Sequence, residues 1–252
     1  MTALKKCTAI KAVLWLVLLC ASMQAWAGQV AGTVMQLNGP LFAKKADGKV
    51  KILAIKSEVE SGDTLLTEKD TYALIKLIDN SEITLKPNTS FVIEQFSYEA
   101  QQPDGDHAIF SLLKGGLRSV TGLLGKRNKE RFEMKTPSAT IGIRGTTFTA
   151  TLVGGVPATA LPSSAASSSL LPGLYVQVIE GMIHVSNTGG AQNFAAGQFG
   201  FTPGILQPPI IIPSHPDIQF TPPPAFSAAT GAAGAGAGGA GKNAAAIDCV
   251  VR

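Results

Sequence analysis

Between residues 29 and 153 the chain alternates apolar and polar side chains with a period of two, and turn-forming residues cut that alternation at roughly ten-residue intervals. Successive side chains on a strand point to opposite faces, so such a pattern predicts strands with one face on a core. Glu82-Ile83-Thr84-Leu85-Lys86 places Ile83 and Leu85 together. Phe132-Glu133-Met134-Lys135-Thr136 and Met182-Ile183-His184-Val185-Ser186 repeat the arrangement. Tyr72 to Ile78 is apolar apart from Lys76, the pattern of a strand covered on both faces. The breaks include Asn38-Gly39-Pro40, Asp47-Gly48, Ser61-Gly62-Asp63, Asp79-Asn80-Ser81, Lys114-Gly115-Gly116 and Thr188-Gly189-Gly190, all residue types that turns demand. A helical period is almost absent. The fold class this predicts is all-β, a stack of short strands arranged as a solenoid or a sandwich.

The pattern stops and restarts. Residues 154–173 (GGVPATALPSSAASSSLLPG) bury too little apolar surface to offset their ordering entropy, and a flexible insertion is expected there. Alternation returns from Leu174 to about Phe201, so residues 28–202 are expected to form one β domain carrying that insertion. Residues 203–227 are proline-rich and favour extended backbone, and residues 228–252 are an Ala/Gly-rich low-complexity tail. Together they are expected to be a disordered tail. An alternative packs Ile210-Ile211-Ile212 on the domain as a last strand with prolines at its ends.

Ahead of the β region, Lys5, Lys6 and Lys11 precede a short apolar run from Ala12 to Met23, and Ala25-Trp26-Ala27 supplies small residues for cleavage. That run is too short to cross a hydrocarbon core of about 30 Å. Residues 1–27 are expected to be a cleaved secretory signal, with the mature chain starting at Gly28, a periplasmic location and no stable membrane span. An uncleaved anchor is the alternative. The whole chain has 21 Lys+Arg and 17 Asp+Glu; the leader takes three lysines and no acid, leaving 18 minus 17, or +1. A near-neutral mature chain gives no general attraction for nucleic acid or anionic membrane. Cys7 and Cys20 leave with the leader. Only Cys249 remains, so no internal disulfide forms, while a disulfide-linked dimer through Cys249 stays open.

Nothing in the mature sequence is arranged for catalysis, and no cofactor is implied. His107, His184 and His215 share no metal-ligand spacing, and no serine stands in a nucleophile elbow. Asp104, Asp106 and His107 fit a solvated turn better than a cation site. The feature that points to a partner is basic. From Lys114 to Arg144 there are eight cations (Lys114, Arg118, Lys126, Arg127, Lys129, Arg131, Lys135, Arg144) against Glu130 and Glu133, or +6 in 31 residues. Lys126 to Arg131 is expected at a hairpin tip. With Arg118, the cations Lys126, Arg127, Lys129 and Arg131 form a candidate binding patch for an anionic partner; the other reading is a solvated loop that keeps an edge strand soluble. Phe132 is the only aromatic there, which with the export signal argues against nucleic acid. Arg144 lies between Gly142 and Gly145. Its five donors are expected to bond backbone carbonyls in a glycine-lined turn and fix a strand crossing, the glycines allowing close approach; contact with a ligand is the alternative.

Several of these stretches, in this order, resemble the FecR domain, a periplasmic all-β module. They are Gly32-Thr33-Val34, Gly62-Asp63-Thr64-Leu65-Leu66-Thr67, Leu77 to Leu85, Lys114-Gly115-Gly116-Leu117-Arg118, and the run from Thr136-Pro137 through Gly142, Arg144 and Gly145 to Phe148. Glu180 to Val185 and Ala196-Gly197-Gln198 complete the series. Asn80 stands where glycine is usual, and Thr147 where an acid often precedes the phenylalanine. The resemblance covers most of residues 29–200. It implies a non-enzymatic FecR-domain protein acting as a periplasmic protein-interaction or signalling module, its partner an envelope protein. A cell-envelope glycan or other anionic polymer is the alternative partner, and a surface structural protein with a spacer tail is a third reading.

Overall fold

The protein is described here by a computed structural model covering residues 28–154, 170–215 and 218–220. The expected leader, most of the 154–173 insertion and the tail with Cys249 fall outside the described residues. The strands are β1 (Val30–Asn38), β2 (Leu41–Lys44), β3 (Val50–Leu53), β4 (Glu58–Glu60), β5 (Thr64–Thr67), β6 (Tyr72–Leu77), β7 (Glu82–Leu85), β8 (Ser90–Ser97), β9 (His107–Val120), β10 (Phe132–Lys135), β11 (Thr140–Val153), β12 (Gly173–Asn187), β13 (Gly190–Ala195), β14 (Phe199–Thr202) and β15 (Ile210–Ile212). One short α-helix, α1 (Leu123–Arg127), and two single 3₁₀ turns complete the described elements. The chain is all-β, as the alternation predicts.

All fifteen strands belong to one sheet that folds back on itself. The first half runs β3-β2-β5-β8-β9-β10-β11-β12-β13. The second runs β4-β1-β6-β7-β9-β11-β12-β14-β15. The long strands β9, β11 and β12, of 14, 14 and 15 residues, appear in both halves. Each bends at a glycine in the left-handed region: Gly115 at φ +81°, Gly145 at +61° and Gly181 at +79°. These three define the crease, where a side chain on any of them would strain the backbone.

The threonines tie the crease. Thr146 Oγ1 donates to Met182 O at 2.7 Å, Thr121 Oγ1 donates to Thr146 O at 2.6 Å, and the Arg144 N–H donates to Thr146 Oγ1 at 3.2 Å. This corrects the role expected of Arg144. Its side chain is exposed, and among the described residues its guanidinium bonds no carbonyl. Gly142 is not a close-approach glycine either: an added Cβ would meet nothing nearer than His184 O at 3.9 Å.

The core lies between the halves. Phe110 is its centre, 5.4 Å from Phe91, 6.1 Å from Phe96 and 5.6 Å from Phe132, centroid to centroid. Ile83, Leu85, Met134, Ile183 and Val185 all point into it, the faces assigned by alternation, and Phe148 joins them. A buried side chain of this size contributes on the order of 1.5–3 kcal/mol. β6 departs from expectation: Ala73, Ile75 and Leu77 are buried while Ile78 is exposed, so only one face of the Tyr72–Ile78 run is fully covered.

Two further expectations are corrected. Lys126–Arg131 is no hairpin tip, because β9 and β10 are parallel and parallel neighbours need a crossover connection. α1 makes that crossover. Its start is held by the Asp79 turn, with Leu123 N–H on Asp79 O at 2.8 Å and Leu124 N–H on Asp79 Oδ2 at 3.2 Å, and Leu124 is buried. The proline-rich segment, as far as Phe220 and leaving aside residues 216–217, is not a disordered tail. Ile210–Ile212 pairs with β14 as an edge strand, flanked by Pro209 and Pro213, where a missing N–H is tolerated. Ile218 is buried against Tyr175, Phe199 and Phe201, and Phe220 sits 6.4 Å from the Tyr72 ring.

Candidate functional site

The cations of the basic stretch do not form one patch. Arg118 lies on the second half of the sheet between Thr84 of β7 and Thr149 of β11. Burial lowers its pKa, with nearby Glu82 acting in the opposite sense. Arg127, on α1, turns onto the loop before β9. Its Nε reaches Asp106 Oδ2 at 2.7 Å, Nη2 reaches the same oxygen at 2.6 Å, and Nη1 donates to Ala100 O at 2.9 Å. The guanidinium also lies 4.6 Å from the centre of the Tyr98 ring. Arg131 donates to the carbonyl of Asp104. Lys126 and Lys129 are exposed. Of the candidate anion binders, two arginines are therefore engaged in holding a loop, and that loop is the one carrying Asp104, Asp106 and His107.

The motif residues are turns and core. Thr136 Oγ1 accepts from Ala139 N–H at 3.0 Å and donates to Ala139 O at 2.7 Å, closing the Thr136-Pro137-Ser138-Ala139 turn between β10 and β11. Phe148 is core. Gly62, at φ +91°, lets the chain turn so that Asp63 points inward. Asp63 is only 1 % exposed; it accepts from Glu60 N–H at 2.9 Å, and its two oxygens lie 2.9 and 3.0 Å from Lys45 Nζ. Lys45 also meets Glu60 Oε2 at 3.1 Å. Burial would pull the Lys45 ammonium down, but its bonds to Asp63 and Glu60 outweigh that and leave its pKa raised.

Lys45 begins the turn between β2 and β3, so this clamp fixes the β2–β3 hairpin to the frame. Among the described residues, the hairpin presents the most exposed large apolar side chains on a strand. Ile52 is 72 % exposed and Val50 61 %, with Ile55 at 55 % just beyond. Both strand residues share the outward face with Phe42 of β2 and Leu66 of β5, in register as Ile52–Phe42–Leu66. Lys44, Lys51 and Lys56 stand around them. Sequence reading passed over this hairpin. The signal was present in Lys49-Val50-Lys51-Ile52 directly after Asp47-Gly48, an alternation that puts two β-branched residues on one face of a strand.

His184 lies on the outward face of the first half, with Nδ1 2.7 Å from Asn193 Oδ1. Among the described residues no three of His, Cys, Asp and Glu converge as metal ligands, and no helix is long and apolar enough to cross a membrane.

The frame is a creased all-β sheet whose motif residues fix turns and whose two most exposed large apolar strand residues among those described, Ile52 and Val50, lie at a sheet edge. Residues 63–184 match the family described as FecR protein, so that span is a FecR domain. β1 to β4 precede the matched span yet complete the sheet, β1 pairing with β6 and β2 with β5. A crystal structure at 1.65 Å of a "putative anti-sigma factor" from Parabacteroides distasonis ATCC 8503 aligns at TM-score 0.42 and 10 % identity, over 59 % of this chain and 58 % of that one. A second structure described in the same words, at 2.50 Å, gives TM-score 0.42 and 11 % identity with the same coverage. The chain thus spans under two thirds of those proteins. A cell surface anchoring domain aligns at TM-score 0.25 and 19 % identity, over 25 % of this chain and 83 % of that one. No curated protein matches.

Proposed function

We propose that this FecR-domain protein is a non-enzymatic interaction module that is exported to the periplasm and passes on a signal by binding another envelope protein. The family is one of regulators, and that supports the signalling role. The observation that carries the reading is the β2–β3 hairpin: a rigid edge, clamped through Lys45 and Asp63, that holds Val50 and Ile52 in water. Exposed apolar residues grouped on an ordered element mark interaction surfaces. The polymer-binding alternative has less support, because Arg127 and Arg131 are engaged with Asp106 and backbone carbonyls.

Two measurements on the full chain expressed in a Gram-negative host test the proposal. Intact mass should begin at Gly28 in the periplasmic fraction; a full-length membrane-bound product would overturn the location. A photo-crosslinking residue at position 52 should give one discrete adduct that mass spectrometry identifies as an envelope protein. Crosslinking only to lipid or glycan would overturn the protein-binding role.

A further inference from the structure

Which backbone groups β3 leaves open follows from its register. Lys45 N–H donates to Lys49 O at 2.8 Å, so Lys45 and Lys49 are the hydrogen-bonded pair that closes the hairpin. Pairs in an antiparallel ladder alternate. Lys44–Val50 and Phe42–Ile52 are therefore the non-bonded pairs, and the N–H and C=O of Val50 and Ile52 point away from β2. Among the described residues no strand lies on that side. Ala54 closes the row, its N–H on Ser57 Oγ at 3.0 Å and its C=O accepting from Ser57 N–H at 3.0 Å.

Two of the other sheet edges are blunted: β4 is three residues long and carries Glu58 and Glu60, and β15 is three residues flanked by prolines. β13 is longer and uncharged, but among its described residues it exposes no large apolar side chain. β3 is also short, four residues, and carries one charge in Lys51, but it alone joins its open backbone to the apolar row Ile52–Phe42–Leu66. Between Val50 and Ile52 stands Lys51, and among the described residues Lys44, Lys51 and Lys56 have no carboxylate within salt-bridge distance.

We propose that the free edge of β3 takes an extended segment of a partner protein as an added antiparallel strand, and that it selects a segment in which an Asp or Glu sits between two apolar residues. Val50 and Ile52 would exchange backbone hydrogen bonds with the incoming strand. Lys51 would then face its opposite number across a non-bonded pair, where side chains come closest. An acid there meets the Lys51 ammonium, while the flanking apolar residues extend the row begun by Val50 and Ile52.

Charge decides against a second copy of this chain, since antiparallel self-pairing centred on Lys51 sets ammonium against ammonium. Backbone decides against a bilayer. Insertion of Val50 and Ile52 into hydrocarbon would leave their edge N–H and C=O groups without partners.

The proposal rests on reading the domain as an interaction module, and its test is separable from that reading. The probe is a capped peptide, Thr-Val-Glu-Val-Thr, with Thr-Val-Lys-Val-Thr as its counterpart, titrated into the isotopically labelled mature chain and followed by amide NMR. The Glu peptide should shift the Val50 and Ile52 amides and slow their exchange, binding at least fivefold more tightly than the Lys peptide, with the preference weakening as salt rises. Lys51→Glu should reverse the preference. Ile52→Glu, which alters only an exposed side chain, should abolish binding while leaving the remaining spectrum unchanged. Equal binding of both peptides, or no response at Val50 and Ile52, overturns the proposal. So does a concentration-dependent dimer that Ile52→Glu removes, or binding only to phosphatidylglycerol vesicles. If the peptides fail while crosslinking at position 52 still captures an envelope protein, only the acidic-strand chemistry falls. If the peptide binds but no such adduct forms, the edge stands and the interaction role does not.

Discussion

Arg127 and Asp106 meet as a closed pair, Nη2 to Oδ2 at 2.6 Å, and Asp106 is wholly withdrawn from water. Asp106 Oδ1 also accepts from Glu99 N–H at 3.1 Å, so the pair joins α1 to both ends of the loop ahead of β9. Arg127 is itself partly exposed, but removing it leaves the buried Asp106 carboxylate without its cation. Arg127→Ala should therefore destabilise the domain by about 2 kcal/mol in urea unfolding. Lys126→Ala and Lys129→Ala, on exposed side chains, should stay within about 0.5 kcal/mol. Equal effects for all three would restore the basic stretch as a surface patch.

The glycines of the motif run separate by mechanism. Gly142→Ala should be neutral or slightly stabilising, because the backbone there is not left-handed and an added Cβ meets nothing nearer than 3.9 Å. Gly145→Ala should cost about 1–2 kcal/mol, since φ is +61° but the space is open. Gly181→Ala should cost more than either, because φ is +79° and the new Cβ would stand 2.6 Å from Gly145 O. Thermal unfolding of the three variants gives the order directly. Any other order would show that the crease is not fixed by these bends.

How much of this was legible in the sequence depends on the range of the interactions. Alternation is local, so the inward faces of Ile83 and Leu85, Phe132 and Met134, and Ile183 and Val185 could be read directly. Whether a bend such as Gly145 closes a turn or creases a long strand is decided by partners in β9 and β12, far along the chain. Likewise α1 is five residues long, with no side-chain cap and two basic residues at its end, so nothing local separates it from a hairpin tip. The parallel pairing of β10 with β9 decides it. The β3 edge was legible as a strand, but its openness depends on the absence of a neighbouring strand, which no local pattern records.

Glu94 supplies a pH signature. Its carboxylate accepts from Lys135 Nζ at 2.9 Å and from the Ser111 hydroxyl. The Lys135 bond is the larger cause and the Ser111 bond the next, and together they hold its pKa below the ordinary 4.5 despite some burial. A carboxyl with a depressed folded pKa contributes stability above its unfolded value and loses it as pH falls through the folded one. The wild type should therefore lose slightly more stability than Glu94→Gln on acidification below about pH 4.5. Both side chains are more than a third exposed, so solvent screening keeps the difference under about 0.5 kcal/mol. Urea midpoints at pH 6 and pH 3 would check it; a steeper loss in the variant would contradict the pairing.

Ile218 tests the packing of the C-terminal segment. It is buried against Tyr175, Phe199 and Phe201 on the outer face of the second half. Ile218→Ala should cost about 2 kcal/mol, the low end for a buried isoleucine, because this small cluster lies outside the main core and can relax. Amide exchange should accelerate in β14 and β15 while β9 stays protected. Unchanged protection in β15 would mean that the strand holds without the segment that follows it.

Asp63 links the family motif to the hairpin edge. Asp63→Ala removes both bonds to Lys45 and the acceptor of the Glu60 N–H, leaving Lys45 with Glu60 alone. A buried donor that loses its acceptor costs about 1–3 kcal/mol, so a loss near 2 kcal/mol is expected. The more specific consequence is local. Lys45 is the hairpin's tether, so hydrogen exchange in β2 and β3 should rise more than in β6 and β7, which belong to the other half of the sheet. Because docking on β3 needs an edge already held straight, the variant should also bind the Glu peptide more weakly although every residue facing that peptide is intact. Undiminished binding with accelerated exchange would show that the edge recognises its partner without being preorganised, and that Asp63 serves the fold alone.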